Sequence, residues 1–200
     1  MKHFPILLML AAVPVISSCN RDAAPEVEAA AEPAAEPAAT QEGLARQWTA
    51  EAFGVLSGRL MQAINEDGHA AAIHVCAMEA DDLLGGVADA AGVSIRRVTD
   101  RPRNPANAAS GRELEMLEMI RNMAGGSEVP ASIEQDRVVW LPIRVAMPVC
   151  LACHGDPETD IAAETLAAIG EHYPLDRATG YSDGDLRGMW RVEFPDVSEQ

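Results

Sequence analysis

The stretch Cys150-Leu151-Ala152-Cys153-His154 constrains this chain more than any other. A protein with only 4 cysteines places two of them in one short segment and follows the second directly with histidine. Thiols at that spacing can each add across one of the two vinyl groups of a haem, and the adjoining histidine then lies beneath the iron. The pattern predicts one haem c, covalently held by Cys150 and Cys153, with His154 as the proximal ligand. Rival chemistries ask for more than the sequence offers. A thioredoxin-like dithiol needs a strand-to-helix context. A structural zinc needs a second ligand pair, and no other Cys-x-x-Cys or His-x-x-His is present.

The N-terminus agrees with attachment in an exported compartment. Met1-Lys2-His3 is a short positive segment, and Phe4 to Ile16 is an apolar run. A membrane-spanning helix needs about 20 residues, so this run suits a signal-peptide core instead. Ile16-Ser17-Ser18-Cys19 resembles a bacterial lipobox, in which an aliphatic and two small residues precede a lipidated cysteine. The expectation is a lipoprotein signal peptide over 1–18, cleaved before an acylated Cys19. Each buried methylene contributes about 0.8 kcal/mol, so several chains on one residue anchor stably where one chain is marginal. By the same resemblance Asn20, standing where an aspartate is absent, favours the outer membrane. The expected location is the periplasmic side of a bacterial membrane.

Residues 20 to 40 are a low-complexity tract of Ala, Glu and Pro with no apolar face to bury. With Cys19 they form an expected tether, 19–40, ahead of one folded domain over 41–200. The chain carries 31 acidic and 15 basic side chains, a net charge of -16, and Lys2 is its sole lysine. Such a surface repels phosphate backbones, which argues against a nucleic-acid partner.

Within the domain, Leu44, Trp48, Ala52, Val55, Leu56, Leu60, Ala63 and Ile64 recur at helical spacing up to a stop at Asp67-Gly68. A second helical stripe runs through Ile73, Cys76, Ala80, Leu83, Leu84 and Val87, weakened or ended by Gly85-Gly86. Val93 to Thr99 reads as a strand, and the stretch from Arg101 to Ser110 as loop. Ser110 and Glu113 have capping-box spacing and open a helix expected to stop at Gly125-Gly126. Arg137 to Val145 alternates as a strand that Pro142 places at an edge or at a bulge. Asp156-Pro157 opens a further helix running to about Tyr173. Gly188 to Phe194 closes the domain as a strand with Trp190, Val192 and Phe194 on one face. This order predicts an α+β fold with a small, antiparallel sheet flanked by helices.

The position of the haem motif, with a domain's worth of chain before it, does not match the common small or four-helix cytochromes. The surrounding residues resemble c-type haem domains with a PAS-like fold, long catalogued as a domain of unknown function. The resemblance rests on AIHVCAMEA around Cys76, RNPANAAS from Arg103, LPIRVAMPVCLACHG, and YPLDRATGYSDGDLRGMWRV from Tyr173, in that order. Together they span most of residues 44 to 194.

For the distal ligand the residues themselves leave His69, His74, His172, the methionines and Cys76 open. Cys76 lies on an apolar stripe, where free cysteine usually serves as a small hydrophobe. With Cys19 acylated and Cys150 and Cys153 consumed, however, it has no disulfide partner. The resemblance implies that Cys76 is an axial ligand; Met147 and His74 are the best substitutes. Met116, Met119 and Met123 read as helix packing. Arg96, Arg97 and Arg103 are candidates to pair with haem propionates, Arg103 first because it belongs to the matching motif. Asp176, Asp183 and Asp185 read as turn formers.

A thiolate ligand lowers the reduction potential, and a displaceable one suits sensing of redox state or of NO or CO. The alternative is low-potential periplasmic electron transfer. No distal acid–base pair marks an enzyme. The expected partners are haem, the membrane through the lipid anchor, and a periplasmic redox or signalling protein.

Overall fold

A computed structural model describes residues 40–123, 132–134 and 137–196. The signal segment, Cys19, the tether and the Gly125-Gly126 stop lie outside the described residues. The elements are α1 (Gln41–Met78), α2 (Ala80–Ala91), β1 (Ser94–Val98), a 3-10 turn (Pro105–Asn107), α3 (Arg112–Asn122), β2 (Ser132–Glu134), β3 (Val138–Arg144), α4 (Pro148–His154), α5 (Ala163–His172) and β4 (Leu186–Glu193). The strands form one antiparallel sheet in the order β1-β4-β3-β2. This is the α+β class expected from the sequence.

Helix α1 starts where Thr40 caps it, its hydroxyl accepting from the Gly43 N–H at 3.1 Å. It is two helices joined at Gly68, whose φ of 82° and ψ of -178° break the helical run at the expected stop. Glu79 (φ -120°) makes a second break, and α2 then continues straight through Gly85-Gly86 to Gly92, in the left-handed region at φ 66°. The two glycines cost roughly 1 kcal/mol each in a helix. Burial of Leu84, Val87 and Ala88 outweighs that cost, at about 1.5–3 kcal/mol per large apolar side chain.

One sheet face, with Ile95, Val139, Leu141, Trp190 and Val192, packs on Ala45, Ala52 and Leu56 of α1 and on Leu84, Val87 and Ala88 of α2. Phe194 packs against the same core, as its alternation with Trp190 and Val192 predicts. The other face sets Val98, Trp140 and Met189 against Met116, Leu117 and Ile120 of α3. A third cluster joins Ile73 of α1 to Ile161, Ile169 and Tyr173 around α5.

One local expectation is refined and two change. Strand β3 has neighbours on both sides, but β2 pairs only with Val138–Trp140. At Pro142, opposite Met189, the strand has β4 alone beside it, so the missing N–H is tolerated as at an edge. Next, Asp156-Pro157 opens a turn and not a helix. Asp156 Oδ1 accepts from the Glu158 N–H at 2.7 Å, and Ile161 then turns inward and is buried, delaying α5 to Ala163. Finally, at α3 Glu113 reaches back to the Ser110 N–H at 3.1 Å, but the residue before the helix is Gly111, and the Ser110 hydroxyl does not cap it.

Candidate functional site

Helix α4 carries Cys150, Cys153 and His154 on two turns, with Pro148 at its first position. The Cys150 N–H bonds the Met147 carbonyl at 2.9 Å and the Gly155 N–H bonds the Leu151 carbonyl at 2.8 Å. Gly155 has ordinary extended backbone, so its reason is space. A Cβ there would stand 2.5 Å from Asp160 Oδ2 and 2.7 Å from the Leu151 carbonyl oxygen. After α4 the chain runs beside the 178–181 loop: the Tyr181 N–H bonds the His154 carbonyl at 3.0 Å, and the Gly180 N–H bonds that of Gly155 at 2.7 Å.

His154 Nδ1 lies 2.7 Å from the Ala178 carbonyl oxygen. A carbonyl can only accept, so Nδ1 carries the hydrogen and Nε2 keeps its lone pair. Burial, followed by the charges of Arg187 and Arg103, holds the imidazole well below its ordinary pKa. The ring is therefore neutral, with its second nitrogen oriented by the protein, an arrangement that a metal-binding histidine would use.

Cys76, on the second segment of α1, and Cys153, on α4, both pack against the cluster of Ile73, Ile161, Ile169 and Tyr173. Cys76, Cys150 and Cys153 are all free thiols. Burial raises the Cys76 pKa, with Arg97 and Arg103 pulling the other way. Burial also pushes the Cys153 thiol up to about 11. The fold thus brings Cys76 of α1 onto the cluster that also takes Cys153 of α4, the residue directly before His154. The substitutes for Cys76 sit elsewhere. Met147 is 41% exposed, and His74 is exposed, edge-on to His172 with ring centroids 5.2 Å apart. Met116 is core packing as expected, but Met119 and Met123 are exposed.

Arg103 is 7% exposed and spans two partners. Its Nε donates to Asp176 Oδ1 at 2.8 Å, and its Nη2 donates to the Cys153 carbonyl at 2.6 Å. Two of its donors are thus committed within the protein, and the residue ties α4 to the loop after α5. Asp176 is correspondingly more than a turn former: its side chain is 10% exposed and paired. Asp185 does form a turn, accepting from the Ser182 N–H at 2.8 Å. Arg96 is exposed and pairs with Glu113 at 3.2 Å, whereas Arg97 lies 3.9 Å from Asp81.

Two residues were not singled out by the sequence reading. Tyr181 is buried beside the His154 ring, edge-on at 6.4 Å, and its hydroxyl has no hydrogen-bond partner. Arg187 stands at a register shift where Ile143 faces Gly188 but Arg144 faces Leu186. It is the extra residue of a bulge, a device that re-aims a side chain. The signal was Gly188, a glycine inside a strand. A Cβ at 188 would lie 2.6 Å from the Val98 carbonyl oxygen.

A model of the Tll0287-like family matches residues 21–195, and the chain belongs to that family. Among solved structures it is similar to the crystal structure of the cyanobacterial heme-protein Tll0287, with a TM-score of 0.54 and 28% identity. That similarity covers 77% of this chain and 91% of the other. No curated protein matches. Membership agrees with the resemblance to a haem-domain family drawn from the sequence.

Proposed function

We propose that this protein binds haem, holds one such group covalently through Cys150 and Cys153, and ligates its iron with His154 and Cys76. Membership of the Tll0287-like family and similarity to a heme-protein support haem binding. The observation that carries the ligand assignment is the hydrogen bond from His154 Nδ1 to Ala178, with Cys153, the residue before it, packed on the same apolar cluster as Cys76. The residues present suit the group: a neutral imidazole, free thiols, and, close by, an unpartnered tyrosine hydroxyl and arginine Nε suited to carboxylate oxygens.

Bound haem supplies a one-electron couple and, where a ligand departs, a place for a small gas. The chain's part is to orient His154 through Ala178, to hold Cys76 against an apolar cluster, and to hold α4 in place through Arg103. A half-buried sulfur on a helix separate from the haem-bearing one is a ligand that can leave without disturbing the covalent attachment. On that ground the reading extends to a redox or gas sensor, exported and anchored through an acylated Cys19, with low-potential electron transfer as the alternative.

The test is the intact mass and pyridine haemochrome spectrum of protein matured in an exporting host. The expected result is one haem per chain that resists acid–acetone extraction and is lost from a Cys150→Ala/Cys153→Ala double variant. A pigment that extracts freely would refute covalent attachment.

A further inference from the structure

We propose that Arg187 and the Tyr181 hydroxyl form a carboxylate-binding corner beside His154 that takes the haem propionates, a proposal that rests on the haem reading above. The bulge in β4 sets Arg187 in place. Its Nη1 donates to Thr99 Oγ1 and to the Arg101 carbonyl oxygen, each at 3.2 Å, which holds the guanidinium still. Its Nε is enclosed and has no partner. No carboxylate among the described residues forms an ion pair with it. The Tyr181 ring ties the corner to the ligand histidine: the Arg187 guanidinium lies 5.4 Å from its centroid and the His154 ring 6.4 Å away.

Charge balance calls for an anion here. Burial disfavours the charged form of Arg187, and the neighbouring Arg103 and Arg97 add to the effect. Arg101 stacks on Tyr181 at 4.1 Å and contributes a further cation. Asp176 is already spent on Arg103. The carboxylate nearest Arg97, Asp81, is 3.9 Å away with a side chain 68% exposed. A protein of net charge -16 has thus gathered arginines in one place and left part of their charge unanswered. A buried charge persists when it is paired. A guanidinium presents the planar fork that a carboxylate fits, and a tyrosine hydroxyl can donate to the same oxygen. The corner is therefore built for a carboxylate that arrives with the ligand.

The experiment uses the matured full chain and its Arg187→Gln, Arg187→Lys and Tyr181→Phe variants, with Arg46→Gln as a surface control. Resonance Raman reads the propionate bending band, and spectroelectrochemical titration reads the potential. Arg187→Gln is expected to shift the band and lower the potential, because a cation beside the haem favours the reduced state. Arg187→Lys should keep the potential nearer wild type while the band stays shifted, and Tyr181→Phe should shift the band in a protein that folds normally. Unchanged bands and potentials in haem-loaded Arg187→Gln and Tyr181→Phe overturn the proposal. If the wild-type chain carries no haem, the haem reading fails and the propionate assignment with it. Saturable binding of succinate to that chain, lost in Arg187→Gln, then retains the corner as a site for a free carboxylate. Absence of both kinds of binding overturns it altogether.

Discussion

His154 and Ala178 are separated by 24 positions in sequence, yet the imidazole Nδ1 and the backbone carbonyl oxygen meet at 2.7 Å. That bond aims the other nitrogen, and a backbone acceptor cannot be removed by substituting a side chain. The consequence is an imidazole of fixed tautomer; if it ligates the iron as proposed, the other side of the iron is where spectroscopy should report change.

On the proposed ligation, oxidised matured protein gives a low-spin electron paramagnetic resonance signal of thiolate type. Cys76→Ser abolishes that signal without reducing haem content. A bis-histidine or His/Met signal indifferent to the substitution would return the distal position to His74 or Met147. Exposure of the reduced protein to CO separates the two roles. Uptake with loss of the sulfur ligand supports the sensor, and an inert six-coordinate spectrum supports the electron carrier.

Arg103 and Asp176 form a nearly enclosed pair, 7% and 10% exposed. Removing one partner from a buried pair typically costs about 3–5 kcal/mol, because the other charge is left uncompensated. Arg103→Met should therefore destabilise the domain by that order in urea unfolding. Arg103→Met combined with Asp176→Leu should recover much of the loss. Equal stability of the single and double variants would show that the Cys153 carbonyl contact, not the ion pair, matters.

Gly155→Ala forces a Cβ against the Leu151 carbonyl oxygen and the Asp160 carboxylate. Overpacking of this kind costs roughly 1–3 kcal/mol. The thermal midpoint should fall, and haem loading should fall with it because the clash lies one residue past His154. Asp160→Ala in the same chain should give only partial relief, since the clash with backbone remains.

Two glycine substitutions should move stability in opposite directions. Neither Gly68 nor Gly85 has a neighbour within 4 Å of an added Cβ, so conformation alone decides. Gly68, at φ 82° and ψ -178°, occupies a region essentially reserved for glycine, and Gly68→Ala should cost about 1–3 kcal/mol. Gly85 lies inside α2, where alanine is the better helix former, and Gly85→Ala should stabilise by about 0.4–1 kcal/mol. Paired chemical denaturation curves test both signs.

The motif on which the proposed covalent attachment rests was legible in the sequence because it is local. Thiol spacing, the adjoining histidine, the break at Gly68 and the alternation of Trp190, Val192 and Phe194 depend only on neighbours along the chain. Helical and strand periods likewise gave the α+β class and nearly every element, missing the short β2 and α4, whose few residues hold too little periodicity to read. The tertiary structure decided who meets whom. Arg103 could not be matched to Asp176, 73 positions on, nor His154 to a carbonyl, because such partners are set by how α4, α5 and β4 pack. Arg187 reaches the site only because a bulge turns it, and Pro142 is tolerated only because β2 stops short of it. Spacing records what a segment can do; which groups face one another is settled when burial brings distant segments together.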